Sequence, residues 1–227
     1  MTQSEWESLF PFRFGPRDTH LASLSLIGRD DPQRREIEAF VHERFDRVHH
    51  ADLHHYLPEL LSLRDRHGAL VAVAGIRLAQ QEPLFLERYL DEPLEGPVSR
   101  IAGYAVPRQE LVEVGNLAVR NAGSARLIIV AMTWLLAARG LRWVAFTGAA
   151  TLINSFHRLG LEPTVLAPAD PARLNGARRE WGNYYDQHPQ VFTGSIRYGH
   201  EQLENSGAYQ RLGFPVLLYR AKREYAA

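Results

Sequence analysis

Glu113 and Asn116 are the polar residues of an otherwise apolar run, Val112-Glu113-Val114-Gly115-Asn116-Leu117-Ala118-Val119. A carboxylate there is costly to bury unless it is paired. Burial also lifts a carboxyl pKa toward neutrality, which would let Glu113 take a proton from an attacking amine. A structural pairing of Glu113 with an arginine such as Arg77, with Asn116 capping a strand end, accounts for the same residues. Side chains alternate along a strand, so Glu113 and Asn116 face opposite ways unless a bulge intervenes, and Gly115 is the expected bulge site.

Arg120-x-x-Gly123-x-Ala125 follows directly. A helix starting here exposes free N–H groups and its positive end, small residues admit a pyrophosphate, and Arg120 adds charge. A tight turn at Gly123 with Ser124 as N-cap explains the pattern without a ligand. Charge distribution favours the phosphate. Lys plus Arg and Asp plus Glu number 26 each, yet acids outnumber bases 18 to 13 through Leu111, and bases outnumber acids 13 to 8 beyond it. Glu87, Tyr89 and Asp91 read either as a polar patch for an amine-bearing substrate or as a solvated short helix anchored by Leu84, Leu86 and Leu90. Trp181, Tyr184 and Tyr185 either line an acyl pocket or pack a loop down. His49, His50, His54 and His55 lack a ligand pattern such as His-Glu-x-x-His and read as a solvated loop, so no metal is expected.

These residues need a scaffold. His20 to Ile27 predicts a strand. Asp30-Asp31-Pro32 predicts a helix start, and Ile37, Phe40, Val41, Phe45 and Val48 give that helix one apolar face to about His49. Leu60–Arg64 and Leu70–Leu78 flank Asp65-Arg66-His67-Gly68 as a hairpin. Pro83 to Asp91 predicts a short helix, followed by a polar linker holding Gly96 and Pro97. Val112–Val119 is a central strand, Ser124–Arg139 a helix closed by Gly140, Arg142–Thr147 a strand, Ala149–Leu159 a helix closed by Gly160, and Thr164–Leu166 a third strand. Residues 168–199 resist assignment. Tyr209-Gln210-Arg211-Leu212-Gly213-Phe214 ends a helix, and Val216–Arg220 is an expected terminal strand whose edge offers a homodimer contact. The fold class is α/β with a mixed sheet. One domain over 1–227 is expected, with an irregular arm at 1–20 and a C-terminal extension at 168–227.

Composition excludes several classes. The chain has no cysteine, hence no disulfide, thiolate metal site or Cys nucleophile. It lacks the basic surplus of a nucleic-acid binder. Its longest apolar stretch, Leu127–Ala138, falls short of the ~20 residues a span needs, and residues 1–15 do not read as a signal peptide. A cytoplasmic protein without stable membrane insertion is expected. Lys222 is the only lysine, which genome composition explains without function.

Arg120-x-x-Gly123-x-Ala125 after a central strand is similar to the cofactor loop of the GNAT (Gcn5-related N-acetyltransferase) superfamily. Asn154-Ser155-Phe156-His157-Arg158-Leu159-Gly160-Leu161 resembles that superfamily's next motif. Leu84–Asp91, Val112–Ala118, Trp143–Thr147 and Trp181–Tyr185 resemble the thermostable hemolysin family, over roughly residues 34–200. That family is similar in layout to acyl-homoserine-lactone synthases. The resemblance implies a GNAT-like fold in which an antiparallel N-terminal hairpin precedes a βαβα unit with splayed central strands.

It also implies an N-acyltransferase that moves an acyl group from a coenzyme A or carrier-protein phosphopantetheine thioester to the primary amine of a small molecule. Ala118, Val119, Arg120, Gly123, Ser124, Ala125, Asn154 and Phe156 would then hold the donor, Glu113 and Asn116 would serve catalysis, and Glu87, Tyr89, Asp91, Tyr184 and Tyr185 would receive the acceptor. Two departures stand out. Val119 runs straight into Arg120, where GNAT proteins usually interpose a few residues. Phe156 stands where many carry a tyrosine that protonates the leaving thiolate, leaving Tyr209, Tyr184 and Tyr185 as candidates for that role. The alternatives are a membrane-active lytic protein, which the family's name implies, and a GNAT-fold binding module that has lost catalysis. The chain lacks an exposed amphipathic helix with a basic face, which argues against lysis.

Overall fold

The computed structural model describes residues 9–15, 21–174 and 177–215. Among these residues eight strands form one mixed sheet: β1 (Phe12–Phe14), β2 (Ala22–Ile27), β3 (Glu59–Asp65), β4 (Leu70–Leu78), β5 (Leu111–Val119), β6 (Trp143–Gly148), β7 (Thr164–Pro168) and β8 (Gln190–Ser195). Their spatial order is β1-β2-β3-β4-β5-β6-β8-β7. All neighbours are antiparallel except β5 and β6. Six helices among the described residues accompany the sheet: α1 (Arg34–His49), α2 (Glu95–Ala102), α3 (Ala122–Ala138), α4 (Ala150–His157), α5 (Ile196–Asn205) and α6 (Ala208–Leu212).

The two faces of the sheet are read off β4. Ala72, Ala74 and Ile76 point into the core beneath α3, together with Leu61, Leu63 and Val112. Val73 points the other way, under Ile37, Val41 and Phe45 of α1. This alternation follows from the two-residue period of a strand. Helix α3 is buried along most of its length, including Trp134 at 1% exposure, so it is apolar nearly all round rather than amphipathic.

Several expectations are corrected. The arm expected to be irregular contains β1, which pairs with β2. The stretch expected to be a linker forms α2, with Val98 buried. Pro97 is tolerated there because it occupies the first turn, where its missing N–H is one of the amides a helix leaves unpaired. The expected helix at 83–91 is a tight 3₁₀ segment, Phe85–Tyr89. The stretch that resisted assignment supplies β8, which lies between β6 and β7, so β7 reaches the sheet only through β8. The expected terminal strand at 216–220 lies outside the described residues.

Candidate active site

Two irregularities in β5 make the site. The first is a bulge against β4: Gly75 pairs with Gly115 and Val73 with Ala118, so one extra residue fits between. The strained residue is Asn116, with φ +48°, rather than the expected Gly115. Asparagine tolerates this left-handed conformation better than most residues. The bulge cancels one alternation and brings Asn116 onto the Glu113 face. There its Oδ1 accepts from the Leu57 amide at 2.8 Å and its Nδ2 donates to the His55 carbonyl at 3.2 Å. Gly75 and Gly115 are small because Leu57 lies over them: a Cβ on Gly75 would come within 2.9 Å of the Leu57 Cβ.

The second irregularity is a gap. Strands β5 and β6 pair from Leu111↔Trp143 to Val114↔Phe146. Beyond that, β5 stays on β4 as far as Val119, whereas Thr147 and Gly148 of β6 stay on β8. Each strand follows its outer neighbour and the pair opens, leaving the inner edge of residues 115–119 without a partner strand. Unpaired main-chain groups of this kind are strong donors and acceptors waiting for a ligand.

A cavity of about 590 Å³ runs through this gap. On the α1 face it meets Glu113, Asn116, Arg77, Phe85, Tyr89 and Tyr184. On the α3 face it is lined by Ile128, Ile129, Met132, Leu136, Val144 and Leu161. Its third side reaches Val119, Arg120, Asn121 and Ala122, where β5 gives way to α3. One polar limb, one apolar limb and one cationic mouth therefore meet at the splayed strands.

Glu113 is 4% exposed. Its Oε2 accepts from the Phe85 amide at 2.8 Å and its Oε1 from the Leu86 amide at 3.0 Å. Arg77 stands 3.6 Å away, the pairing the sequence offered. Burial pushes the carboxyl above its ordinary value, and the two amides and Arg77 pull against that without prevailing. Each oxygen keeps a further lone pair, so the group can still accept a proton. Tyr89 donates to or accepts from the Tyr185 hydroxyl at 2.5 Å. Burial raises the phenols of Tyr89 and Tyr184, and pushes that of Tyr185 up to about 12, so all three remain protonated near neutrality.

Around the mouth, the Arg120 amide donates to the Val71 carbonyl at 2.9 Å, so it belongs to the sheet. Asn121, not Ser124, is the N-cap of α3, and its Oδ1 accepts from the Ser124 amide at 2.9 Å. The Ala122 and Gly123 amides are the first of the helix and have no intrahelical acceptor.

The structure brings Glu113, Asn116, Ala118, Val119, Arg120, Ala125, Phe156, Tyr89 and Tyr184 to one cavity. The other candidates lie off its lining. Gly123 and Ser124 sit in the first turn of α3 behind Ala122, and Asn154 is exposed on α4. Glu87 is a structural hub: it accepts from the Leu84 and Leu94 amides and pairs with Arg108 at 2.7 Å. Burial would raise its pKa, but those bonds outweigh it and hold the carboxyl low. Asp91 is exposed and pairs with Arg173. Tyr185 stands behind Tyr89. Phe156 stacks on Phe146, ring centroids 4.8 Å apart, and Phe146 on Phe192 at 5.5 Å. Tyr209 is bonded to His200 at 2.9 Å. Sequence reasoning missed Arg44 and the apolar limb. Helical spacing placed the residues of α3 in the core but could not show that a void remains beside them. At the surface, His42, Asp52 and His54 bring ligand atoms within 4.8 Å of one another, apart from the cavity.

The fold is shared with acyl-transferring enzymes. The AHL synthase LasI superposes with a TM-score of 0.58 at 8% identity, over 87% of this chain and 98% of LasI. FeeM, an N-acyl amino acid synthase from uncultured soil microbes, gives 0.53 at 11%, over 82% and 97%. TofI, in a ternary complex with an inhibitor and MTA, gives 0.52 at 14%, over 76% and 91%. At these identities the likeness establishes the fold: the GNAT-like architecture of AHL synthases, with its mixed open sheet. The chain belongs to the thermostable hemolysin family, whose profile matches residues 27–200. No curated protein matches the sequence. Among the described residues no helix is long and apolar enough to cross a membrane.

Proposed function

We propose that the protein is an N-acyltransferase that takes an acyl group from a phosphopantetheine thioester, on coenzyme A or a carrier protein, and passes it to the primary amine of a small molecule. The observation that carries this reading is the cavity through the gap between β5 and β6, with Glu113 on its polar limb. A pantetheine arm laid along Gly115–Val119 would complete the missing ladder as an added strand does. Its phosphate would sit at Arg120 and the first amides of α3. The acyl chain would run into the Ile128–Met132–Leu136 limb, which suits a chain much longer than acetyl.

In the reaction the amine enters from the α1 face. Glu113 accepts its proton, directly or through a water, as the nitrogen attacks the thioester carbonyl. Main-chain amides of the unpaired edge near Val119 receive the developing oxyanion. Collapse expels the thiolate, which needs a proton. Phe156 has none to give, and the phenol hydroxyls on the cavity wall belong to Tyr89, Tyr184 and Tyr198. Incubation with a series of acyl thioesters and amines, followed by release of free thiol, tests the reading. No thiol release and no binding of either donor form would remove it.

One observation supports a second reading, a binding module without turnover. Both oxygens of Glu113 already hold backbone amides, so the residue is also a clamp for the Phe85–Tyr89 segment. A protein that binds the thioester tightly but turns over no amine would favour this reading.

A further inference from the structure

Arg44 of α1 lines the same cavity as Arg120, Asn121 and Ala122. Its Nε is buried and has no hydrogen-bond partner among the described residues. Its helix neighbours three and four positions away are Phe40, Val41, Arg47 and Val48, none of them an anion. The nearby acid Glu43 is taken by Arg47. A guanidinium with a desolvated, unsatisfied donor is costly and asks for an anion from outside the chain.

The direction in which α1 crosses the sheet says where that anion sits. Glu36, Phe40 and Arg44 form one stripe, at i, i+4 and i+8. Glu36 pairs with Arg64 at 2.7 Å, near the end of β3. That end is level with Leu70 at the start of β4, just beyond the Ala72↔Val119 pair. The opposite flank of α1 carries Arg34 and His42, bonded to the carbonyls of Leu57 and Leu53, over the Gly115 region. Arg44 therefore leans toward the cationic mouth and away from Glu113. The mouth also needs a second cation. The Arg120 amide is spent on Val71 and the Ser124 amide on its cap, so fewer main-chain donors remain than a longer loop would give.

On this geometry, and resting on the thioester-donor reading above, we infer that Arg44 is a donor-binding residue. It closes on a phosphate group of the phosphopantetheine donor from the α1 side, opposite Arg120 and the start of α3. The phosphate is the chemistry shared by coenzyme A and a carrier protein's prosthetic arm. The experiment measures, by calorimetry, the affinity of the full chain and of Arg44→Gln for coenzyme A, 4′-phosphopantetheine and pantetheine, with thermal melting as the fold control.

The variant should weaken both phosphorylated thiols about tenfold or more and leave pantetheine unchanged. A loss confined to coenzyme A overturns the inference, because Arg44 would then serve nucleotide-side phosphates that a carrier protein's arm lacks. A loss on both assigns it to the phosphate that a carrier protein also bears. Unchanged affinity for the phosphorylated thiols overturns the inference while leaving the donor reading intact. An equal loss on pantetheine does so too, because Arg44 would then serve the arm or the fold. If Arg44→Gln does not fold, Arg44→Lys must keep most of the discrimination between phosphopantetheine and pantetheine, and its loss there overturns the inference. Wild-type protein that binds none of the three removes the donor reading itself, and the inference with it.

Discussion

At the scale of single residues, the proposed function gives Glu113 a second job beside its clamp on the Phe85 and Leu86 amides, and the two are separable by experiment. As a base it must be ionised, so kcat/KM should rise with pH through a pKa above the ordinary 4.5 and then level off. Glu113→Gln should lower kcat about 10²-fold or more and abolish that limb. It should also cost about 1–3 kcal/mol, because one face of the amide presents N–H groups to a backbone N–H that the carboxylate accepted, so rates are measured well below its melting temperature. Glu87 works in the opposite sense. Its pKa is held below 4.5, so its contribution to stability is present above that pH and fades as pH falls through the depressed value. Glu87→Gln should melt about 2–6 °C lower at neutral pH, with the gap to wild type closing in acid, as followed by circular dichroism.

At the scale of elements, the bulge in β5 decides whether the site exists. Asn116 holds a left-handed backbone and clamps residues 55–57, which carry Leu57 over the glycine pair. Asn116→Ala gives up the left-handed preference and leaves the buried Leu57 amide unsatisfied, a loss of about 2–4 kcal/mol in chemical denaturation. If the bulge relaxes in that variant, binding of the thioester donor should weaken as well. Helix α5 offers the converse case. Gly199 is helical and buried, and an added Cβ would lie 3.6 Å from Leu161 and Thr133, an ordinary contact. Gly199→Ala should stabilise by about 0.5–1 kcal/mol. Gly199→Leu projects into the apolar limb and should shift the preferred donor toward shorter acyl chains in a competition of thioesters.

At the scale of the whole molecule, the sheet works as a partition with one slot. The α1 face supplies a buried carboxylate, the α3 face an apolar sleeve, and the rim between them positive charge. In the proposed reaction this division would separate water-bearing chemistry from a hydrocarbon tail, which a lytic surface would not need. Purified protein should therefore release no dye from phospholipid vesicles on its own. If lysis follows the family's name, it should appear only once thioester and amine are supplied, through a product with a polar head and an acyl tail.

What the sequence determined by itself is what local physics determines. Periods of 3.6 and 2 mark α1, the hairpin of β3 and β4, β5 and α3, and a carboxylate inside an apolar strand marks Glu113 whatever lies around it. Helix α2 escaped because a proline in a first turn reads like one in a loop. β8 escaped because six residues among glycines and aromatics carry no periodic signal, and their strand state comes from pairing with β6. Tertiary structure alone decided the rest. Which strands separate depends on the outer neighbours each one keeps, so the slot cannot be read along the chain. Whether Glu87 and Arg44 end among partners or facing a cavity depends on what folds against them: Arg108 and two amides satisfy the first, and no group among the described residues satisfies the buried Nε of the second.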